Sequence, residues 1–485
     1  MSPTLRVLSY THTESRMSTP TPLPSTPAGK HALVYGGSIT GLITVGVLSH
    51  HFEHVTFVER DRFEHGPRVR KGVPQAAHAH ILLTRGLNIL GEVFPGFRED
   101  LKAAGALILD MTEHHAWCMG GVWLPRGRIG LDFTCQSRPL LEWVIRQRIQ
   151  ALPNVTVRDG SEVTGFQTSA DKARVTGVRL QAPGGGEEEL LEAELVVDAS
   201  GRGSRTPQWL EALGYPRVEE TLIQVDVVYA SRVYQRPRGF EPGWEMMSLS
   251  PRLPEQRKFG NIQRIEGDRW LVALGGWLGE GPSATDEADF LEFARSLPEP
   301  HLYEALRHAE PLGPIHHYRF SHNQRRHYER MPRFPEGLAV VGDALCSFNP
   351  IYGQGMTTGA LQAHALGEHL HQGLDGVAQR YRRHVGQLLA TAWSMAATGD
   401  LRIPEVEGKR PPGFALMNWY GDRFQRLATQ DPETLRTFMG VVHMVESPSA
   451  MASPRRVLEV LTARPGSDAR KHAPKPMAIA SNQPA

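Results

Sequence analysis

The sequence predicts an α/β protein: a Rossmann-like dinucleotide-binding domain that the chain visits twice, an antiparallel β-sheet domain between the two visits, and a C-terminal layer of helices. Three observations predict it. A glycine-rich turn, GGSITGL at 36–42, joins an apolar run to a helix-like run. A second turn, DASGRGS at 198–204, leaves the end of another apolar run, and a third, GDALCSFNPIYGQGM at 342–356, follows a third such run. Strand, glycine turn and helix in that order are what a backbone site for phosphates requires.

The first element is the strand 31–35 (HALVY), followed by the turn and a helix through 42–48. Gly36 allows the tight turn with Gly37 beside it, and Gly41 lets the helix pack closely on the sheet, so that the helix N-terminus presents free N–H groups to a pyrophosphate. Ser38 stands where the G-x-G-x-x-G pattern has its middle glycine. A small hydroxyl residue there still permits close approach and can donate a hydrogen bond. The next strand, 55–58, ends at Glu59, eighteen residues past Gly41, where an acceptor for ribose hydroxyls is expected.

Further along, 120–133 reads as short strands with Gly and Pro turns, and Ser137-Arg138-Pro139 opens a helix to about Leu152. Pro139 suits a first turn, where its missing N–H costs nothing. Residues 154–158, 163–168, 174–181 and 190–197 read as strands, the last two separated by a turn at 183–186. The second motif then leaves the strand end at Asp198. Thr206 occupies the place of a third fingerprint glycine and Pro207 interrupts the turn, which favours a single loop against a cofactor already bound over a separate NAD-binding domain.

Residues 222–233, 244–249, 259–265 and 270–277 read as antiparallel strands rich in aromatic and β-branched residues. Trp244, Met246, Met247 and Trp277 suit either an apolar pocket wall or plain core. The strand 338–341 leads into Gly342-Asp343, at the carboxyl end of a strand, where ligands of open α/β sheets collect. Beyond it, 349–355 is a loop too glycine-rich to form a side-chain wall, with a helix from Met356 to about His369 behind it. Helices are also expected over 363–396 and 416–427. The three motifs together fit FAD, with Asp343 accepting from its sugar-alcohol hydroxyls and the helix N-terminus facing the flavin's pyrimidine edge.

The expected organisation is a disordered tail 1–29, a cofactor domain 30–214 with inserted substrate-side strands at about 115–135, a substrate domain 215–327, a return to the cofactor domain at 328–400, a helical region 401–464 and a disordered tail 465–485. Met17 is an alternative start. With 53 Lys+Arg against 52 Asp+Glu, no global field favours nucleic acid or an anionic membrane. Three cysteines without C-x-x-C spacing exclude a disulfide framework or zinc site and suit the reducing cytoplasm. No apolar stretch reaches the roughly 18 residues of a membrane span. The 22 histidines are expected to be solvated and to hold no metal, with His50 and His54 one helical turn apart and His78 the one candidate to approach a flavin.

At these motifs, with Glu59-Arg60 and Ser137-Arg138-Pro139, the chain resembles the class A FAD-dependent monooxygenases of the p-hydroxybenzoate hydroxylase fold over about residues 30–400. The resemblance implies that Gly36, Gly37, Ser38 and Gly41 hold the pyrophosphate, Glu59 the adenosine ribose, and Arg60 and the backbone of Val163 the adenine region. It implies Arg138 at the phosphate or ribityl region, Asp343 at the ribityl chain, and Gly353, Gly355 and Met356 beside the isoalloxazine. Asp198 and Gly201 become candidates for positioning nicotinamide, although Asp198-Ala199 replaces the family's Asp-Gly. The segment 72–80, DASGRGSRTPQWL and 346–350 are most similar in flavour to bacterial epoxidases of polyketide polyenes, enzymes of secondary metabolism.

The implied chemistry is reduction of FAD by NAD(P)H, capture of O2, and delivery of one oxygen atom through a flavin hydroperoxide to a small organic substrate, with epoxidation of an apolar polyene or polyketide as the expected reaction. No catalytic side chain is named, because epoxidation needs mainly a shape-matched apolar cavity. The alternatives are an aromatic hydroxylase of the same fold, a flavin-dependent reductase of a lipid double bond, a flavin-dependent halogenase, which would want a W-x-W-x-I-P run absent here, and a sensor or scaffold without cofactor.

Overall fold

The computed structural model of the chain describes residues 27–182, 184–283, 286–463 and 471–474. Most of the two expected tails, Met17, and residue 183 of the expected turn lie outside them.

A parallel sheet of five strands organises the cofactor half, in the order Leu338–Val340, Leu195–Asp198, Gly29–Tyr35, Phe52–Glu59, Val155–Asp159. Its central strands read as unbroken apolar runs because helices cover both faces. Helix Ile39–Ser49 is buried at nine of its eleven positions, so it shows no strong polar face in the sequence. Against it lies helix Gly355–Leu370, more than three hundred residues later. Glycine makes the approach possible: a Cβ on Gly359 would sit 2.1 Å from Thr40 Oγ1. The chain therefore closes this half by returning to its own first helix.

A second sheet of eight strands lies beyond the site, in the order Cys346–Ser347, Glu310–Arg326, Glu220–Gln235, Arg269–Gly276, Lys258–Ile265, Met246–Leu249, His115–Met119, Val122–Trp123. It is antiparallel except that Met246–Leu249 runs parallel to His115–Met119. The strands expected at 222–233, 244–249, 259–265 and 270–277 pair antiparallel with one another, and the one parallel pairing arises because the last two strands come from an insertion in the cofactor half. Glu310–Arg326, a strand of 17 residues, was hidden by its Gly, Pro and charged residues. It is held by ladder pairing along almost the whole of Glu220–Gln235.

The C-terminal region is helical: Val377–Asp400, Phe414–Ala428, Pro432–Val442 and Pro454–Thr462. The single helix expected over 363–396 is in fact two, broken at 371–376, where Gly373 and Gly376 take positive φ values of 85° and 69°. His50 and His54 are not a helical pair either. His50 caps the end of its helix, and His54 sits on the following strand against the ring of His31. Nor are the histidines generally solvated, since His51, His78, His115, His327 and His443 are all buried. Among the described residues no group of His, Cys, Asp and Glu could hold a metal, all three cysteines are free, and no helix is long and apolar enough to cross a membrane.

Candidate active site

One cavity of about 1270 Å³ runs between the two sheets. A single small-molecule pocket occupies roughly 300–1,000 Å³, so this space has room for a cofactor and a second molecule. One side is built by the glycine-rich motifs. Gly36, Gly37, Ser38, Glu59, Arg60, Arg138, Val163, Gly201, Asp343, Gly353, Gly355 and Met356 all border it. Gly41 lies behind, in the turn, and Asp198 does not border the cavity.

The glycines divide by what a side chain would meet. A Cβ on Gly36 would lie 2.4 Å from the carbonyl oxygen of Ala199, which lets the first and second motifs touch, and one on Gly41 would lie 1.9 Å from the carbonyl oxygen of Gly36, which lets the first motif's own turn close. On Gly201, Gly203 and Gly355 a Cβ would meet nothing within 4 Å. Those three present bare backbone to open space. Gly355 begins its helix, whose first N–H groups have no partner within the helix and carry partial positive charge. The start of helix Ile39–Ser49, which also borders the cavity, offers the same.

Charges behind the first motif form a connected set. Glu59 is buried and accepts hydrogen bonds from the backbone N–H of Gly37 and of Asp61. Arg70 donates to Glu142 at 2.8 Å, to Asp61 at 3.1 Å and to the Gly37 carbonyl at 2.7 Å. Arg138 donates to Glu142 and, at 2.9 Å, to Ser38 Oγ. Ser38 thus turns its hydroxyl to Arg138 and leaves its own helix start without a side-chain cap. Burial lowers the affinity of Arg138 for its proton, and Glu142 opposes this. Asp343 is pushed up from the usual carboxylate range by burial, against the pull of Arg202 and Arg138. Arg202 itself donates to Ser347 Oγ and to the His322 carbonyl, tying the second motif to the large sheet.

Asp198 organises its own loop. Its carboxylate accepts from the Ser200 N–H and from the hydroxyls of Ser200, Ser204 and Thr206. Every lone pair is engaged in shaping the turn that carries Gly201 and Arg202 past the cavity. Another buried carboxylate, Asp400, does the same for the third motif. It accepts from Trp277 Nε1 (2.9 Å), Asn323 Nδ2 (2.7 Å), Asn349 Nδ2 (2.9 Å) and the Tyr352 hydroxyl (3.0 Å), with no cation beside it.

The far side of the cavity is faced by the large sheet and is mainly apolar: Met111, Trp117, Met246, Phe259, Trp277 and Phe320 border it. His80 and His115 also line it, and burial pushes them down to about 4 and about 3, so both are neutral at physiological pH. His78, the sequence candidate, points away. It bonds to Ser231 Oγ at 2.8 Å and packs edge-on against Tyr229. Sequence reasoning missed Arg70, Glu142, Arg202, His115 and Asp400; Glu142 was available as the i,i+4 partner of Arg138 on its helix, and Arg70, His115 and Asp400 belong to no recognisable spacing. Arg202 also carried a signal, by lying inside the second motif.

These parts fit FAD: two helix starts for anionic groups, open glycine backbone, a carboxylate at the strand end and Asp343 between two arginines. The sequence pattern of the FAD binding domain family matches residues 30–384. The chain belongs to this family. Its cofactor is FAD, and its fold is that of the class A flavoprotein monooxygenases. This FAD-binding chain is 33% identical over 438 residues to Protein Rv3254 of Mycobacterium tuberculosis, covering 86% of the chain and 90% of the relative. In structure it is similar to p-nitrophenol 4-monooxygenase PnpA from Pseudomonas putida (TM-score 0.57, 18% identity, 85% of this chain and 97% of that one). It is also similar to the flavin-dependent brominase Bmp2 (TM-score 0.59, 15% identity, 89% and 98%). At such identities the likeness concerns the fold, which hosts more than one chemistry.

Proposed function

We propose that the protein is an NAD(P)H-dependent monooxygenase that transfers one oxygen atom from O2 to an apolar organic substrate, with epoxidation of a polyene or polyketide alkene as the reaction. The observation that carries this reading is the single cavity whose one wall is the FAD site and whose other wall is apolar sheet. When bound, FAD supplies the redox chemistry, taking electrons from the nicotinamide and passing them to oxygen.

The residues then take these roles. Backbone N–H groups at 38–41 receive the pyrophosphate at the helix start, which Gly36 and Gly37 approach closely for want of side chains; Glu59 receives the ribose, and Arg60 and Val163 the adenine end. Arg138 and Asp343 meet the ribityl chain, and 353–356 border the isoalloxazine. Asp198 shapes the loop that brings Gly201 to the cavity, where a nicotinamide would be positioned. The apolar wall of Trp117, Met246, Phe259 and Trp277 excludes water and holds the reacting carbon near the cofactor.

Phenol hydroxylation would want a side chain that accepts a proton near the substrate. Burial leaves His80 and His115, the histidines on the cavity wall, weakly basic, so the carboxylates Glu255 and Asp422, which also border the cavity, are the groups that a phenol-hydroxylating reading would have to use. Against halogenation, no lysine is found among the described residues that border the cavity. Three free cysteines support a reducing, cytoplasmic setting.

The test is the visible spectrum of the purified protein, followed by NADPH oxidation under labelled O2 with a panel of polyenes and phenols. Label in an epoxide is the expected result. NADPH consumption that reduces an alkene without incorporating label, or a protein that stays colourless with added FAD, refutes the reading.

A further inference from the structure

Three neighbouring strands of the large sheet alternate at the cavity. Ala116 and Cys118, Met247, and Ile262 pack in the core beneath, while His115 and Trp117, Ser248 and, just past the strand end, Ser250, and Asn261 line the cavity. Ser248 lies in register with Asn261 on one side and Trp117 on the other. The rings of His115 and Trp117 stack at 4.8 Å, and each holds one serine: His115 Nε2 pairs with Ser248 Oγ at 2.9 Å, and Trp117 Nε1 donates to Ser250 Oγ at 2.8 Å. Asn261 Nδ2 also donates to Ser248 Oγ, at 2.9 Å.

The protons can be counted. An indole nitrogen only donates, so Ser250 must accept from Trp117. Its own O–H then has no protein partner among the described residues and is free to donate into the cavity. His115 Nδ1 faces Met111 Sδ at 3.5 Å, and a thioether only accepts, so the ring proton is on Nδ1 and Ser248 donates to Nε2. With Asn261 donating to it, Ser248 keeps one lone pair with which to accept from a ligand. A wall meant for hydrocarbon alone would carry Ala or Val at both places, because a half-buried hydroxyl without a partner is unfavourable. Here both hydroxyls are aimed by rings that are themselves packed. They are two residues apart on one strand edge, about 7 Å at the usual rise per residue.

We propose that Ser248 and Ser250 form a two-hydroxyl recognition edge for an otherwise apolar substrate that carries two oxygen functions about 7 Å apart, a hydrogen-bond acceptor for Ser250 and a hydroxyl donor for Ser248. This rests on the proposed oxygenase reading and narrows its substrate class. Pinning both oxygens on the sheet fixes which carbon of the substrate faces the FAD wall.

Titration calorimetry on the FAD-loaded protein tests it with two probes of similar shape, 4-hydroxyacetophenone, whose carbonyl oxygen and hydroxyl have a comparable spacing, and the hydrocarbon 4-isopropyltoluene. The wild-type protein should prefer the hydroxyketone. S250A, which loses the donor to the carbonyl, and S248A, which loses the acceptor for the hydroxyl, should each weaken hydroxyketone binding by about 3- to 10-fold, the worth of one neutral hydrogen bond, and leave the hydrocarbon unchanged. Equal affinity of the wild-type protein for both probes, or a loss in S250A shared equally by both, overturns the proposal. Failure of the oxygenase reading shows separately, as missing flavin colour or missing label, because calorimetric preference needs no turnover.

Discussion

Exchanging the carboxyl of Asp400 with the carboxamide of Asn323 probes the buried network that seats the third motif. Asp400 ends a 24-residue helix, where the macrodipole disfavours a negative charge, and burial pushes its carboxyl above the usual range despite four donors. D400N therefore removes an unfavourable buried charge while spoiling the acceptor pattern. With the new amide oxygen kept toward Trp277, Asn349 and Tyr352, its NH2 faces the NH2 of Asn323, which lies 2.7 Å from the oxygen it replaces. Asn323 cannot turn over, because its Oδ1 accepts from the Asn349 N–H at 2.6 Å. One buried donor is left unpaired, at a cost of about 1–3 kcal/mol. N323D alone sets two carboxylates side by side and should cost at least as much. The double variant D400N/N323D restores a donor facing an acceptor at every contact. Urea unfolding of the four proteins gives the coupling, which should be favourable by about 1–3 kcal/mol, and flavin content should follow stability. Additive losses, with no recovery in the double variant, would show that these hydrogen bonds do not hold the loop.

Other variants separate packing from ligand contact. G41A drives a Cβ into the Gly36 carbonyl and should cost about 1–3 kcal/mol and most bound FAD, whereas G355A adds a Cβ in open space and should leave the apoprotein's melting temperature unchanged while weakening FAD binding; equal melting losses would contradict this. R138A leaves Glu142 still paired with Arg70 and removes the partner of Ser38 Oγ, so stability should fall by about 1–3 kcal/mol, read by urea unfolding with FAD affinity followed by flavin fluorescence. Stability should also fall in mild acid. His115 and His443 are pushed down to about 3 by burial, so each favours the folded protein above the unfolded value near 6.5 and loses that contribution as pH falls toward 3. Between pH 6.5 and 5 this amounts to on the order of 1–2 kcal/mol per histidine, and H115Q should flatten the slope of urea midpoint against pH.

Turns and strand ends were legible because their chemistry is local. Gly36, Gly41, Glu59 and Asp343 announce themselves by what precedes and follows them, and the sheet that carries them was expected from the same runs. The helix break at 371–376 was available in Gly373 and Gly376 but was masked by the periodicity on either side. Long-range partnerships were not legible. Arg70 meets Glu142 across 72 positions and Trp277 meets Asp400 across 123, and no spacing rule connects them. The 310–326 strand has no alternation of its own, since its ladder partners rather than its side chains define it. The Ser248 and Ser250 edge needs the register of an inserted strand pair, which only the folded sheet supplies.

The return of helix Gly355–Leu370 to helix Ile39–Ser49 also orders events on the ribosome. The fingerprint turn and its acid emerge by residue 59, but the loop and helix that complete the cavity, and Asp400 that seats them, come some 340 residues later. At roughly 5–20 residues per second, the nascent chain carries half a binding site for on the order of 20–70 s. Flavin capture is then a closing event of biosynthesis, and premature termination anywhere before the last of these segments yields a protein that cannot turn yellow.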